Sequence, residues 1–185
     1  GFLSVMYDGS AESYEDNVKV TKRLKEIAGP HRCVEAEVGH VGGEEGKGMH
    51  AEASIIESDP EQLVDFLAKT GTDVMAVSIG NIHGCHGIVK QAPRLHFELL
   101  QKLYDSCGVP LVLHGASGIP ENDVKKAVTM GISKVNYYTQ LYSCYMNCVR
   151  ENVDLTMEEC MGRATEVLAE EIVKLMNMCG SAARI

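Results

Sequence analysis

Two histidines are the first candidates for chemistry, because each ends an apolar segment and is followed at once by glycine. His83 closes the segment VSIGNIH, and His114 closes PLVLH. Neutral imidazole is a favoured zinc ligand, and glycine lets the backbone come close to a bound group. About thirty residues separate the two histidines, the length of one βαβ unit, so their strands can be neighbours. Either histidine alone suits a buried side chain with satisfied hydrogen bonds, whereas the matched pair favours a shared ligand site.

Acidic residues occupy similar positions at two other strand ends. Glu37 is the second-last residue of the segment CVEAEV, which Gly39 follows, and Asp8 follows FLSVMY. A catalytic zinc usually has three protein ligands and one open position, so two histidines leave room for a carboxylate. Glu37 is the stronger candidate for an outer or alternative ligand, and Glu35, of the same strand parity, is the weaker. A solvated charge at the strand end is the other interpretation of Glu37.

Two polar turns that precede helices suit an anionic ligand. The turns are HGASG at 114–118 and NYYT at 136–139, after the last two predicted strands. Gly-rich turns expose N–H groups, a helix N-terminus adds positive potential, and Ser or Thr hydroxyls complete such a site. A third segment, GGEEG at 42–46, carries two acids between glycines. That pattern is typical of a mobile lid, and a solvated loop is the alternative.

Strand-like and helix-like segments alternate along the chain, which predicts an α/β fold with parallel strands and right-handed crossovers. In such folds ligands gather at the carboxyl ends of the strands, where the polar residues described above occur. Within the first helix, Val18, Leu24 and Ile27 are predicted to face the core. The predicted strands are 2–7, 33–38, 74–79, 109–113 and 133–135, and the predicted helices are 15–28, 59–70, 97–107, 120–130, 139–152 and 156–178.

Composition argues against several classes of protein. The chain has 185 residues, 45% of them hydrophobic, and a formal net charge of −9; these values predict one globular domain over 1–185. The acidic balance argues against nucleic-acid binding. The sequence has no apolar run of ~18 residues and no secretory pattern, so neither a membrane span nor a signal peptide is expected. Seven cysteines without zinc-finger spacing fit reduced thiols in the cytoplasm.

Five motifs, taken in order, give the sequence its family likeness: SVMYDGS, VEAEVGHVGGEEG, VSIGNIHG, PLVLHGASGIP and KVNYYT. Together they resemble the class II, zinc-dependent ketose-bisphosphate aldolases, the family of fructose- and tagatose-bisphosphate aldolases. The resemblance covers most of the chain and implies a TIM (β/α)8 barrel, of which the five predicted strands would be strands 4 to 8. It also implies aldol cleavage of a ketose 1,6-bisphosphate to dihydroxyacetone phosphate and an aldehyde, glyceraldehyde 3-phosphate, through a zinc-stabilised enediolate.

The resemblance also implies roles for particular residues. His83 and His114 would bind the catalytic zinc, with Glu37 and Asp8 as outer or alternative metal positions. Glu45, on the glycine-rich loop, would assist proton transfer. Backbone around Ile82, Gly84 and Gly115 would hold a monovalent cation, Na⁺ or K⁺. The residues implied to hold dihydroxyacetone phosphate are Gly84, Gly115, Ser117, Asn136 and Thr139.

One departure from the family pattern bears on activity. The family carries an Asp-His pair after strand 3, which would supply the acid/base and the third zinc ligand, and no Asp-His dipeptide occurs in this chain. The chain by itself is therefore expected to be inactive. The expected partners are a phosphorylated ketose and, at full length, a homo-oligomer (a dimer or tetramer). The alternative from another functional class is a non-catalytic phosphosugar-binding α/β module, an open sheet that keeps Ser117 and Asn136 as phosphate contacts.

Overall fold

The computed structural model describes residues 1–43, 55–84 and 93–182. Five strands alternate with helices, as the sequence pattern predicts. The strands are β1 (Ser4–Tyr7), β2 (Cys33–Val38), β3 (Val74–Val77), β4 (Leu111–Leu113) and β5 (Ile132–Val135). The α-helices are α1 (Tyr14–Ala28), α2 (Pro60–Thr70), α3 (Phe97–Cys107), α4 (Glu121–Thr129), α5 (Thr139–Glu151) and α6 (Met157–Met178), and a 3-10 turn covers Ala116–Gly118.

Local chemistry explains where several helices begin. The Asp59 side chain accepts a hydrogen bond from the Gln62 N–H, and Pro60 occupies the first turn of α2. The α6 helix begins with a capping box in which Thr156 and Glu159 each satisfy the other's backbone N–H. Both helix starts are therefore fixed by short-range hydrogen bonds that can be predicted from the sequence.

The five strands form one parallel sheet in the order β1-β2-β3-β4-β5. Each strand pairs in parallel with the next along the chain, as in a series of βαβ units. One face of the sheet packs on the helices. Its core side chains include Ala36 and Val38 of β2, Met75 and Val77 of β3, and Leu111 and Leu113 of β4, which cluster with Leu63, Phe66, Leu100 and Leu103.

The opposite face of the sheet carries a row of residues in register: Glu37, Ala76, Val112 and Lys134. Glu35 of β2 and Lys134 of β5 would stand about 14 Å apart in a flat sheet, at ~4.8 Å per strand. Instead, Lys134 Nζ lies 2.6 Å from Glu35 Oε2. The sheet is therefore curled with this face inside, which is the curvature of a barrel wall. The α/β prediction is confirmed, and the architecture is that of a partial TIM barrel.

The buried face of α1 agrees with the prediction in part. Val18 packs against the core cluster and Leu24 is half-buried. Ile27, however, is 66% exposed, and the fully buried residues of α1 are Asn17, Thr21 and Ala28. The Asn17 Nδ2 atom donates to the Glu37 carbonyl at 3.0 Å, and the Thr21 hydroxyl donates to Asn17 Oδ1 at 3.1 Å. These polar contacts, and not the apolar residues alone, set the rotation of α1 on the sheet.

Two further findings concern the described residues only. None of their helices is long and apolar enough to cross a membrane. Their cysteines are all free thiols, in agreement with the expectation of reduced cysteines for that part of the chain: Cys33, Cys107, Cys144, Cys148, Cys160 and Cys179.

Candidate metal and substrate site

The His83 and His114 rings lie side by side at the carboxyl edge of the sheet. Their ring centroids are 5.6 Å apart, with planes tilted by 48°. His114 directly follows β4, and His83 lies in the loop after β3, the neighbouring strand. His114 is only 4% exposed. The two imidazoles are thus close enough to face a common ligand.

The loop after β3, which carries His83, is joined to the loop after β2 and lies close to the turn after β4. Gly42 and Ile82 form a parallel bridge, and the His83 N–H donates to the Gly42 carbonyl at 2.8 Å. Gly115 has φ +65°, and a Cβ on it would lie 2.4 Å from the Ile82 carbonyl oxygen. Gly115 is therefore required by its conformation and by the close approach of the β3 loop.

Asn81 is a positioning residue that the sequence interpretation missed. It is fully buried, and its Oδ1 accepts from the Ile79 N–H at 2.8 Å. Its Nδ2 donates to the carbonyls of Val77 at 3.3 Å and of His114 at 3.0 Å. Asn81 thus links the β3 loop to the backbone of His114. Its place two residues before His83 was the available signal.

Glu37 points into the site from β2, where it is 1% exposed. Its Oε1 accepts from the Val41 N–H at 3.0 Å. Its Oε2 is buried without a hydrogen bond among the described residues, and His114 Nδ1 lies 3.4 Å from it. Burial, and then the nearby Asp8 carboxylate, raise the pKa of Glu37 to about 7 against the opposing Val41 hydrogen bond. Oε2 of Glu37 is therefore a carboxylate oxygen that could bind a metal ion next to the His114 imidazole.

Glu35 contacts His114 more closely than Glu37 does, although the sequence interpretation ranked it lower. Its Oε1 lies 3.0 Å from His114 Nε2, and its Oε2 accepts from Lys134 Nζ at 2.6 Å. Burial favours the neutral acid, but the hydrogen bonds from His114 and Lys134 outweigh it and hold the pKa of Glu35 below its usual range. The shared parity of Glu35 and Glu37 on β2 was the signal that both face inwards.

Asp8 lies at the rim of the site. Its side chain is exposed, and its Oδ1 accepts from the Ser10 N–H at 3.0 Å. Its charge acts on Glu37, as the raised pKa of that carboxyl records. The Ser10 hydroxyl lies 2.9 Å from His40 Nδ1, which connects the β1 and β2 loops.

The predicted phosphate-binding residues lie on two adjoining turns. Ser117 sits in the 3-10 turn after His114, and Asn136 directly follows β5; both are half-buried. The two turns are joined because the Ala116 N–H donates to the Asn136 carbonyl at 3.2 Å. Thr139 is the first residue of α5, which packs against the 3-10 turn. Gly84, with φ +71°, follows His83.

Several predicted features fall outside the described residues. Glu45 and most of the glycine-rich segment are among them. Within 1–43, 55–84 and 93–182, no group of three or more His, Cys, Asp or Glu side chains is placed so that it could hold a metal ion. The described part of the chain therefore offers two imidazoles and a carboxylate near one another, not a finished three-ligand centre.

Comparison with known proteins identifies the family. A sequence profile described as class II fructose-bisphosphate aldolase matches residues 1–184. The chain belongs to the class II fructose-bisphosphate aldolase family. The resemblance drawn from the five motifs is thereby confirmed, and the inward-facing histidines and glutamates belong to an aldolase-family barrel.

Named relatives of this aldolase-family chain come from several bacteria. It is 40% identical to the uncharacterized protein YdjI of Escherichia coli K12 over 98% of the chain and 66% of that protein. It is 34% identical to the D-tagatose-1,6-bisphosphate aldolase subunit GatY of Klebsiella oxytoca, over 100% of the chain and 66% of that subunit. The chain thus spans just under two thirds of the length of these relatives.

Solved structures of the family share its fold. A structure described as a putative fructose-1,6-bisphosphate aldolase from Coccidioides immitis superposes with a TM-score of 0.88 at 30% identity, over 98% of this chain and 64% of that one. The crystal structure of the YdjI aldolase from E. coli K12 gives a TM-score of 0.80 at 34% identity, over 98% and 61%.

The donor set at this aldolase-family site suits zinc chemically. Imidazole nitrogen and carboxylate oxygen are among its usual ligands. The observation that favours a cation here is the buried Glu37 Oε2, which lacks a hydrogen bond among the described residues while His114 Nδ1 stands 3.4 Å away. A buried carboxylate oxygen without a hydrogen bond is costly, and a metal ion is one way to satisfy it.

Proposed function

We propose that this chain carries the metal and phosphate sites of a class II aldolase acting on a ketose 1,6-bisphosphate. The reaction is reversible aldol cleavage to dihydroxyacetone phosphate and an aldehyde, glyceraldehyde 3-phosphate. The observation that carries the proposal is the 5.6 Å approach of the His83 and His114 rings beside the buried Oε2 of Glu37, which lies 3.4 Å from His114 Nδ1. Family membership adds the reaction class.

Under this proposal His83 and His114 hold Zn²⁺, and Glu37 and Asp8 act as outer or alternative positions for the ion. When bound there, the ion would supply positive charge that stabilises negative charge on the ketose oxygens during C3–C4 cleavage. His114 is held on both sides, by Asn81 at its backbone carbonyl and by Glu35 at its ring. The ring thus keeps its direction during the reaction.

The phosphate of the substrate is assigned to the two adjoining turns. Their backbone N–H groups and the Ser117 hydroxyl donate to phosphate oxygens, and the α5 N-terminus at Thr139 adds positive potential. Asn136, on the second of these turns, is assigned to the reacting end of the ketose. Gly84 and Gly115 let the backbone approach both the substrate and a monovalent cation, Na⁺ or K⁺. Glu45 is assigned to proton transfer.

The same proposal sets limits on the chain alone. The sequence contains no Asp-His dipeptide, so the acid/base and the third zinc ligand of the family are not among its residues. We infer that residues 1–185 form one partial-barrel domain that binds zinc and substrate but does not turn over unaided. The complete enzyme is assigned to the cytoplasm as a homo-oligomer.

The test measures binding and turnover separately. Dihydroxyacetone phosphate binding to the zinc-loaded chain is followed by ³¹P NMR, and its release from fructose- and tagatose-1,6-bisphosphate by a coupled assay. We expect binding that EDTA and His114→Ala both weaken, without turnover. A version extended by the Asp-His segment of a relative is expected to turn over and to lose activity with EDTA.

Two outcomes would contradict the proposal in different ways. Robust turnover by the 185-residue chain would show that the Asp-His pair is dispensable. Phosphosugar binding that is unchanged by EDTA and by His114→Ala would instead favour the non-catalytic phosphosugar-binding module.

A further inference from the structure

Lys134 reaches across the inner face of the sheet to a buried carboxylate. Its Nζ lies 2.6 Å from Glu35 Oε2, although β5 and β2 are separated by two strands. The Glu35 side chain is 2% exposed and the Lys134 side chain 49% exposed. A buried carboxylate is costly unless each oxygen has a partner. Here Lys134 satisfies one oxygen, and His114 Nε2 lies 3.0 Å from the other.

A bulge in β5 is what turns Lys134 inwards. Leu111 pairs with Ile132, but the next residue, Val112, pairs with Lys134, so Ser133 is an extra residue in β5. Without this extra residue Ser133 would pair with Val112, and Lys134 would face the helices. Bulges of this kind re-aim side chains and are frequent beside functional sites.

The space that Lys134 crosses is kept open by small side chains. The residues between Lys134 and Glu37 in the inward row are Ala76 of β3 and Val112 of β4. A long side chain at Ala76 would occupy the path from Lys134 to Glu35. Strand register and residue size thus both permit the ion pair between Lys134 and Glu35.

We infer that Lys134 is a positioning residue for His114, acting through Glu35. The inference rests on the proposed function, in which His114 holds the metal ion. The contact from Lys134 to Oε2 holds Glu35 so that its Oε1 faces His114 Nε2 at 3.0 Å. A carboxylate in that position accepts a hydrogen bond from Nε2–H, which leaves Nδ1 for the ion. Nδ1 is the atom that lies 3.4 Å from Glu37 Oε2.

This arrangement has a general precedent in metalloprotein chemistry. Metal-binding histidines usually donate their second ring N–H to a carboxylate or carbonyl, and removing such a partner commonly lowers metal affinity about 10- to 100-fold. Lys134 adds one further step, because it orients the carboxylate that orients the ring.

The experiment compares Lys134→Met, Lys134→Arg and a control, Lys125→Met, which removes a lysine whose partner is Glu121 on the surface of α4. Long-range ¹H–¹⁵N NMR reports the His114 tautomer in the metal-free folded chain, and competition with a chromophoric chelator reports zinc affinity. We expect the Nε2–H tautomer in the wild type, Lys125→Met and Lys134→Arg. Lys134→Met is expected to mix the two tautomers and bind zinc about 10- to 100-fold more weakly.

The inference is overturned if Lys134→Met keeps both the wild-type tautomer and a zinc affinity within about twofold of the wild type. If Lys134→Met does not fold, the double variant Glu35→Gln/Lys134→Met, which removes both charges, replaces it. Mixed tautomers in the double variant support the inference, and the wild-type tautomer with wild-type affinity contradicts it. Retention of zinc affinity in His114→Ala would instead contradict the proposed function. The His114 tautomer in the metal-free chain would still test the role of Lys134.

Discussion

The Oε2 atom of Glu37 and the Nδ1 atom of His114 lie 3.4 Å apart, both almost fully buried, at the carboxyl edge of the sheet. One is an acid whose pKa is raised to about 7, and the other is a ring nitrogen turned away from Glu35. Burial and the Asp8 charge raise that pKa, whereas the nearby His114 ring acts to lower it.

The metal-free chain is expected to lose stability as Glu37 ionises. The folded pKa of about 7 lies above the ordinary 4.5, so the folded state binds the proton more tightly than the unfolded state. The contribution of Glu37 to the free energy of unfolding is fully present below about pH 4.5 and is lost as pH rises through 7, a change of about 3 kcal/mol. This change is measured by urea unfolding of the wild type and Glu37→Gln at pH 4.5 and pH 8, with EDTA present.

The Glu37→Gln variant is expected to lack most of that fall in stability between pH 4.5 and pH 8. The matched control is Glu61→Gln, on the first turn of α2 and away from the site, which should keep the wild-type slope. An identical pH dependence in Glu37→Gln and the wild type would show that Glu37 ionises normally in the folded chain.

Gly115→Ala is expected to destabilise the chain more than an alanine at another left-handed glycine. The added Cβ would meet the Ile82 carbonyl oxygen at 2.4 Å, whereas at Gly71, with φ +68°, nothing lies within 4 Å. We expect a loss of about 1 kcal/mol for Gly71→Ala and about 3 kcal/mol or more for Gly115→Ala. The free energy of unfolding of each variant is measured by urea denaturation. Equal losses of stability in Gly71→Ala and Gly115→Ala would contradict the close approach of the two loops.

Asn81→Ala is expected to loosen the link between the β3 loop and His114. It leaves the Ile79 N–H and the His114 carbonyl without their side-chain partner, at a cost of about 3 kcal/mol in the free energy of unfolding. Asn147→Ala, on the exposed side of α5, is the control and should change stability by less than about 0.5 kcal/mol. Hydrogen exchange at Ile79 should accelerate in Asn81→Ala only; unchanged exchange would rule out this role.

Most of the fold could be predicted because local residues indicate where helices and strands begin and end. Asp59 and Pro60 indicate the start of α2, and glycines at 71 and 108 take left-handed conformations at the ends of α2 and α3. The apolar runs of β2, β3 and β4 identify strands that a parallel sheet buries. The predicted start of β1 at Phe2 is two residues early, because Phe2 and Leu3 are exposed.

The details of the site were less predictable because they depend on contacts distant in sequence. Glu35 lies nearer to His114 than Glu37 because the sheet is curled. No local sequence pattern predicts that curl. The inward turn of Lys134 depends on the extra residue Ser133 in β5. Similarly, the face of α1 is set by Asn17 and its bond to the Glu37 carbonyl, where apolar periodicity alone favoured Ile27.

Equilibrium zinc binding in His83→Ala, His114→Ala and the wild type tests the central claim most directly. Each protein is dialysed against the same buffered free zinc concentration, and bound zinc is measured by elemental analysis. If both imidazoles hold one ion, the wild type binds about one zinc per chain and either single variant binds far less. Wild-type zinc content in either folded variant would contradict the claim that His83 and His114 share a metal ion.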